Sequence, residues 1–90
     1  MEKVDFYGNI TKIVGGSLSQ VWVKPENHIT KNGKFTIAIQ TFPLWQVRKH
    51  VNLKDLKVGQ LVNIAGQWYL PNGFVRPQLN ISLFRIVEGN

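Results

Sequence analysis

The stretch Gly33-Lys34-Phe35-Thr36-Ile37-Ala38-Ile39-Gln40-Thr41-Phe42 narrows the choice of fold more than any other part of this sequence. In an extended strand successive side chains point to opposite faces, so Phe35, Ile37 and Ile39 share one face and Lys34, Thr36, Ala38, Gln40 and Phe42 the other. The pattern predicts a strand that buries one side in a core. Its other side offers water a small polar surface edged by a cation and an aromatic ring, as in a half-exposed platform strand of a small barrel.

The alternation recurs along the chain. Val4, Phe6, Gly8, Ile10 and Lys12 alternate with Lys3, Asp5, Tyr7, Asn9 and Thr11, which predicts a first strand over residues 3–14. Gly8 inside it marks a bulge or sharp bend, the device by which one long strand serves two sheets. Gly15-Gly16-Ser17 turns the chain. Leu18 to Lys24 follows, with Val21 and Val23 on one face and Gln20, Trp22 and Lys24 on the other. Pro25 to Gly33 is a polar connection ending in Asn-Gly, a strong turn signal, and leads into the platform strand.

Pro43 is expected to stop that strand. Leu44, Val47 and Val51 then lie three and four apart, which predicts a short helix over 44–51 with Pro in its first turn and Arg48, Lys49 and His50 late. Leu53 to Gln60 reads as a turn that seats Leu53 and Leu56 in the core. Leu61 to Leu70 is a strand with Val62 and Ile64 inward, Asn63, Ala65 and Gln67 outward, and a second bend at Gly66. Pro71-Asn72-Gly73 makes a tight hairpin, and Phe74 to Val87 supplies the last strand, with Leu79, Ile81 and Leu83 opposing Gln78, Asn80 and Ser82.

The order is therefore strand, strand, strand, short helix, strand, strand. An all-β chain with one short helix between its third and fourth strands predicts a five-stranded Greek-key barrel, the oligonucleotide/oligosaccharide-binding fold (OB-fold), as one domain over residues 1–90. Ninety residues leave no room for a second core.

Composition bears on the partner. Eleven Lys and Arg against five Asp and Glu give a net charge of +6, the electrostatic footprint of a protein that meets a polyanion. There is no cysteine, so disulfides and thiolate metal sites are excluded, which suits a reducing cytoplasm. No run approaches the roughly 20 apolar residues of a membrane-spanning helix, and Met1-Glu2-Lys3-Val4-Asp5 lacks the apolar core of a signal peptide. His28 and His50 stand far apart, and no phosphate-cradling glycine motif opens a helix. The expectation is a non-catalytic, cytoplasmic protein without metal or cofactor.

Three segments in order carry a resemblance. Val4-Asp5-Phe6-Tyr7-Gly8-Asn9-Ile10-Thr11-Lys12 resembles the opening strand of the single-stranded DNA-binding proteins of bacteria and phages. Lys34-Phe35-Thr36-Ile37-Ala38-Ile39 is similar to their Phe-Thr-Leu-Ala-Val strand. Leu56-Lys57-Val58-Gly59-Gln60-Leu61-Val62-Asn63-Ile64-Ala65-Gly66 is similar to their Lys-Lys-Gly turn and Val-x-Val-x-Gly strand. The resemblance implies an OB-fold that serves DNA replication or recombination. The family usually carries a glycine-rich tail with an acidic tip, whereas this sequence closes on Ile86-Val87-Glu88-Gly89-Asn90. A phage- or plasmid-type relative, or a primosome-type accessory protein, is the expectation.

Binding a single strand without reading its sequence takes cations for phosphates and flat rings for bases. Trp22, opposite Val21 and Val23, is the first stacking candidate, with a second small core or a subunit interface as its alternative. Trp68 and Tyr69 are consecutive and point opposite ways, so one is a binder and the other core, and both stand as candidates; with Val62 and Ile64 inward, Tyr69 faces out unless Gly66 reverses the register. Phe74 either clamps a base beside the hairpin or closes the barrel, and Trp45 reads as structural. Lys12, Lys24, Lys31, Lys34, Arg48, Lys49 and Arg76 are candidate phosphate contacts, Arg76 foremost because it can also stack. One barrel covers few nucleotides, so a homodimer or homotetramer is expected to raise avidity. An RNA-binding barrel and a protein-interaction module are the alternatives.

Overall fold

The computed structural model describes residues 3–17, 19–26, 29–31, 35–37, 41–75 and 77–88, with 29–31, 35–37 and 88 described by their backbone alone. Seven strands form: β1 (Lys3–Val14), β2 (Gln20–Pro25), β3 (Ile29–Lys31), β4 (Phe35–Ile37), β5 (Phe42–Trp45), β6 (Leu61–Tyr69) and β7 (Gln78–Glu88). Five of them make one antiparallel sheet in the order β5-β2-β1-β6-β7, while β3 and β4 pair with each other. Two single 3₁₀ turns, Val47–Lys49 and Leu53–Asp55, lie between β5 and β6. The fold is mostly β, with no longer helix among the described residues.

Strand β1 is the spine. Its first half pairs with β6, from Lys3 opposite Gln67 to Asn9 opposite Leu61, and its second half pairs with β2, from Gly8 opposite Pro25 to Val14 opposite Gln20. The two halves overlap at Gly8 and Asn9, and at Gly8 a Cβ would stand 2.9 Å from the Lys24 carbonyl oxygen. Glycine is needed there because β2 crosses so close. Beyond it, Thr11 is an extra residue in β1 without a counterpart on β2. Its hydroxyl donates to the Trp22 carbonyl at 3.3 Å. This bulge reverses the alternation: Lys12, which shares its parity with the inward residues before it, moves to the outer face opposite Trp22, and Ile13 returns to the core opposite Val21.

Strand β6 faces inward with Val62, Ile64, Gly66 and Trp68, as its alternation predicts. At Gly66 a Cβ would collide with the carbonyl of Asn80 on β7. Ser82 is the matching extra residue in β7, and its hydroxyl donates to the Ala65 carbonyl at 3.3 Å. The sequence expectation that Leu79, Ile81 and Leu83 share a face fails at this bulge. Leu79 is buried, but Leu83 turns out to solvent and Phe84 takes the core position opposite Ile64.

The core gathers Val4, Phe6, Ile10, Val21, Val23, Leu44, Val47, Leu56, Val62, Ile64, Trp68, Leu79 and Phe84. Phe42 of β5 reaches both Phe6 (ring centroids 5.9 Å apart) and Trp68 (5.7 Å). β5 is separated from β1 and β6 in the strand order, so these contacts require the sheet to curl until its edge strand lies over its middle. The outer strands β5 and β7 approach one another, but they share no ladder, and the sheet stays open among the described residues.

Three expectations are corrected. Within the strand predicted over 33–42, the described residues belong to two strands: Phe35–Ile37 is β4, which pairs with β3 from the stretch read as a loop, and Phe42 begins β5 of the main sheet. Phe42, predicted to face water with Lys34, packs against the core. No helix spans 44–51. Pro43 continues β5 instead of ending the strand, because β5 is an edge strand with β2 on one side and its missing N–H disrupts no second ladder. Leu44 is buried as a strand residue opposite Val21, and Gln46, at φ 61°, breaks the chain into the 3₁₀ turn that buries Val47. The helical spacing arises from a strand and a turn in succession.

Candidate nucleic-acid interface

The register builds the first part of the site on the outer face of β5, β2 and β1. Trp22 lies between Lys12 of β1 and Pro43 of β5, with Gln20 and Lys24 on either side of it along β2. The indole N–H of Trp22 donates to Gln20 Oε1 at 3.2 Å, which fixes the ring on a half-buried footing, and Lys12 and Lys24 are exposed. One step along the face, Gln20 sits opposite Trp45. Since Leu44 points inward, Trp45 points outward and lies half-buried at the end of β5.

Trp45 leads into a cleft of about 570 Å³, a volume in the range of ligand sites. Three segments wall it. One is the end of β5 with the turn after it, giving Trp45, Gln46, Arg48, Lys49 and His50. The second is the loop between β1 and β2, giving Ser17 and Ser19. The third is the β6–β7 hairpin, giving Tyr69, Pro71 and Phe74 together with Gln78 to Ile81. Three aromatic rings and two permanent cations meet here, and none of the described lining residues is acidic. The left-handed Gln46 aims the turn so that Arg48 and Lys49 stand at the rim; both are exposed. Chemically, rings can stack on flat faces, cations can pair with negative charge, and the amides of Gln46, Gln78 and Asn80 can meet polar edges.

The predicted residues fall into three groups. Trp22, Lys12 and Lys24 share the outer face, and Tyr69 and Phe74 line the cleft next to it. Trp68 is corrected: it is buried in the core against Phe42, and its indole N–H is enclosed without a hydrogen-bond partner among the described residues. Lys34 and Arg76 lie outside the described residues, and Lys31 falls on β3, which pairs with β4 and touches β1 without joining the main sheet. Sequence reasoning undervalues Trp45. Taken as a helix residue it looks structural, whereas its place next to inward Leu44 in a strand turns it into the cleft beside Arg48 and Lys49.

The other half of the outer face is organised differently. Asn63 of β6, predicted outward, is only 4% exposed. Its amide donates to Asp5 Oδ1 at 2.7 Å and to the Phe6 carbonyl at 3.1 Å, and it accepts from Arg85 Nε at 3.2 Å. The bonds tie β1, β6 and β7 together and engage both Asp5 and Arg85 away from the cleft. Among the described residues, no three His, Cys, Asp or Glu gather as metal ligands, and no helix is long and apolar enough to cross a membrane. Comparison with family models, with curated proteins and with solved structures finds no match to this chain.

Proposed function

We propose that this chain is a non-catalytic protein that binds single-stranded DNA with little regard to sequence, by stacking bases on aromatic rings and pairing phosphates with Lys and Arg. The observation that carries the reading is the cleft, with no acidic residue in its described lining, where Trp45, Tyr69 and Phe74 meet Arg48 and Lys49, next to the face of β2 and β1 that carries Trp22, Lys12 and Lys24. Each stacked base contributes about 1–3 kcal/mol and counterion release adds a salt-dependent share. Two or three rings therefore suffice for useful affinity.

An OB-type barrel is the proposed architecture. In its support, the strand order β5-β2-β1-β6-β7 brings the two ends of the sheet towards each other. The β1–β2 loop and the β6–β7 hairpin both wall the cleft, the positions from which that fold's loops hold oligonucleotides. A role in phage or mobile-element DNA replication or recombination is the setting that suits such an activity. Self-association has its own support: Tyr7, Leu83 and Val87 are exposed on the β1 and β7 strands, away from the cleft, and a dimer through that side would leave two clefts free to act together.

The test is a titration of tryptophan fluorescence with dT, U and duplex oligonucleotides at several salt concentrations. Quenching by dT that weakens as salt rises, with duplex ineffective, is expected from Trp22 and Trp45. A stronger response to U than to dT would assign RNA as the ligand, and no response to any of them at low salt would overturn the proposal.

A further inference from the structure

The tip of the β6–β7 hairpin exposes more apolar surface than a turn requires. Leu70 is 56% exposed, Phe74 55% and Val75 94%. The turn that holds them is defined: the Phe74 N–H donates to the Pro71 carbonyl at 3.1 Å, and Gly73 takes a positive φ of 85°. Clustered exposed apolar side chains on a small protein mark a contact surface. This cluster stands on the rim of the cleft, since Phe74 also lines it together with Arg48 and Lys49.

We infer that the tip is a wedge that packs against the terminal base pair of a duplex, so that the protein prefers the junction between duplex and single strand. The inference rests on the single-strand reading above. An apolar knob beside cations matches a ligand whose flat apolar face is ringed by negative charge, and the end of a duplex is such a ligand. A second copy of this chain is a poorer match, because its +6 charge would bring like charge to the cationic rim. With Tyr69 and Phe74 in the cleft, the single strand leaving the junction has rings to follow, while Leu70 and Val75 sit against the last pair.

The experiment compares a dT oligonucleotide of about 12 nucleotides, in the span of such sites, with a duplex carrying the same dT tail and with the blunt duplex. The wild-type chain is set beside the double variant Leu70→Ser/Val75→Ser. Both residues are exposed and outside the cleft lining, so the variant should fold, which circular dichroism checks. The tailed duplex is expected to bind at least about tenfold tighter than dT alone, the gain of covering roughly 60 Å² of the aliphatic surface of Leu70 and Val75. A 2-aminopurine in the terminal pair should brighten on binding. The variant should lose both effects and keep its affinity for dT. Equal affinity for dT and tailed duplex would overturn the wedge and leave single-strand binding standing. No binding to dT or to the tailed duplex would overturn both. Loss of self-association in the variant, with both affinities unchanged, would assign the tip to a protein interface and overturn the wedge.

Discussion

At the scale of single residues, Phe74 separates binding from folding. More than half of its surface is free, yet it lines the cleft, so Phe74→Ala is expected to leave the denaturant midpoint unchanged while weakening dT binding by about 1–3 kcal/mol in a fluorescence titration. Gly66 is its counterpart in the fold. A Cβ there runs into the backbone of Asn80 and Ile81, which cannot rotate aside, so Gly66→Ala should cost about 1–3 kcal/mol in chemical denaturation. Alternation makes some of this legible. It sends Tyr69 outward and puts Val21, Val23, Val62 and Ile64 in the core. It cannot locate the bulges at Thr11 and Ser82, because the extra residues are ordinary hydroxyl side chains whose role is a bond to the neighbouring strand. Every face assignment beyond such a residue inverts, which is why Lys12 and Leu83 lie on faces opposite to those the alternation predicts.

At the scale of elements, the instructive segment is β5 and the turn after it. In the sequence alone, Pro43 reads as a stop and the residues after it as a helix. What overrides both signals is tertiary: β5 lies at the sheet edge, where proline is tolerated, and Gln46 adopts a left-handed conformation no local rule anticipates for glutamine. As a result, Trp45, Arg48 and Lys49 line the same cleft. If both cations meet phosphates, replacing them together, Arg48→Gln with Lys49→Gln, should flatten the dependence of log affinity on log salt by about 1.4, at roughly 0.7 for each single-strand phosphate left without its cation. An unchanged slope with weaker binding would mean that neither touches a phosphate.

At the scale of the molecule, the curled sheet joins distant parts of the chain. Lys3 pairs with Gln67, and Gln20 with Trp45, so strands far apart in the sequence meet around the core that Phe42 packs against. Closing loops that long costs entropy before any packing repays it, so refolding is expected in milliseconds to seconds rather than microseconds. Stopped-flow fluorescence from buried Trp68 would record it, and a microsecond phase carrying the full amplitude would contradict the expectation. Four main-sheet strands, β1, β2, β6 and β7, are readable from the alternation, whereas β5 is not, because Pro43 reads as a stop and the residues after it as a helix. The β3–β4 hairpin is not, because its residues Ile29–Lys31 sit in a stretch whose Pro, Asn and Gly content signals a loop.

The Thr11 bulge also bears on how such a chain tolerates changes of length. Ile10 faces Val23, Lys12 faces Trp22 and Ile13 faces Val21, so the partners on β2 run without a gap while β1 carries one residue too many. Excising Thr11 would restore strict alternation and leave Lys12 and Ile13 on the sides they now occupy. A gap at this position between related chains would thus be compatible with the same interface, whereas a gap one strand later, within Val21-Trp22-Val23, would turn the indole into the core.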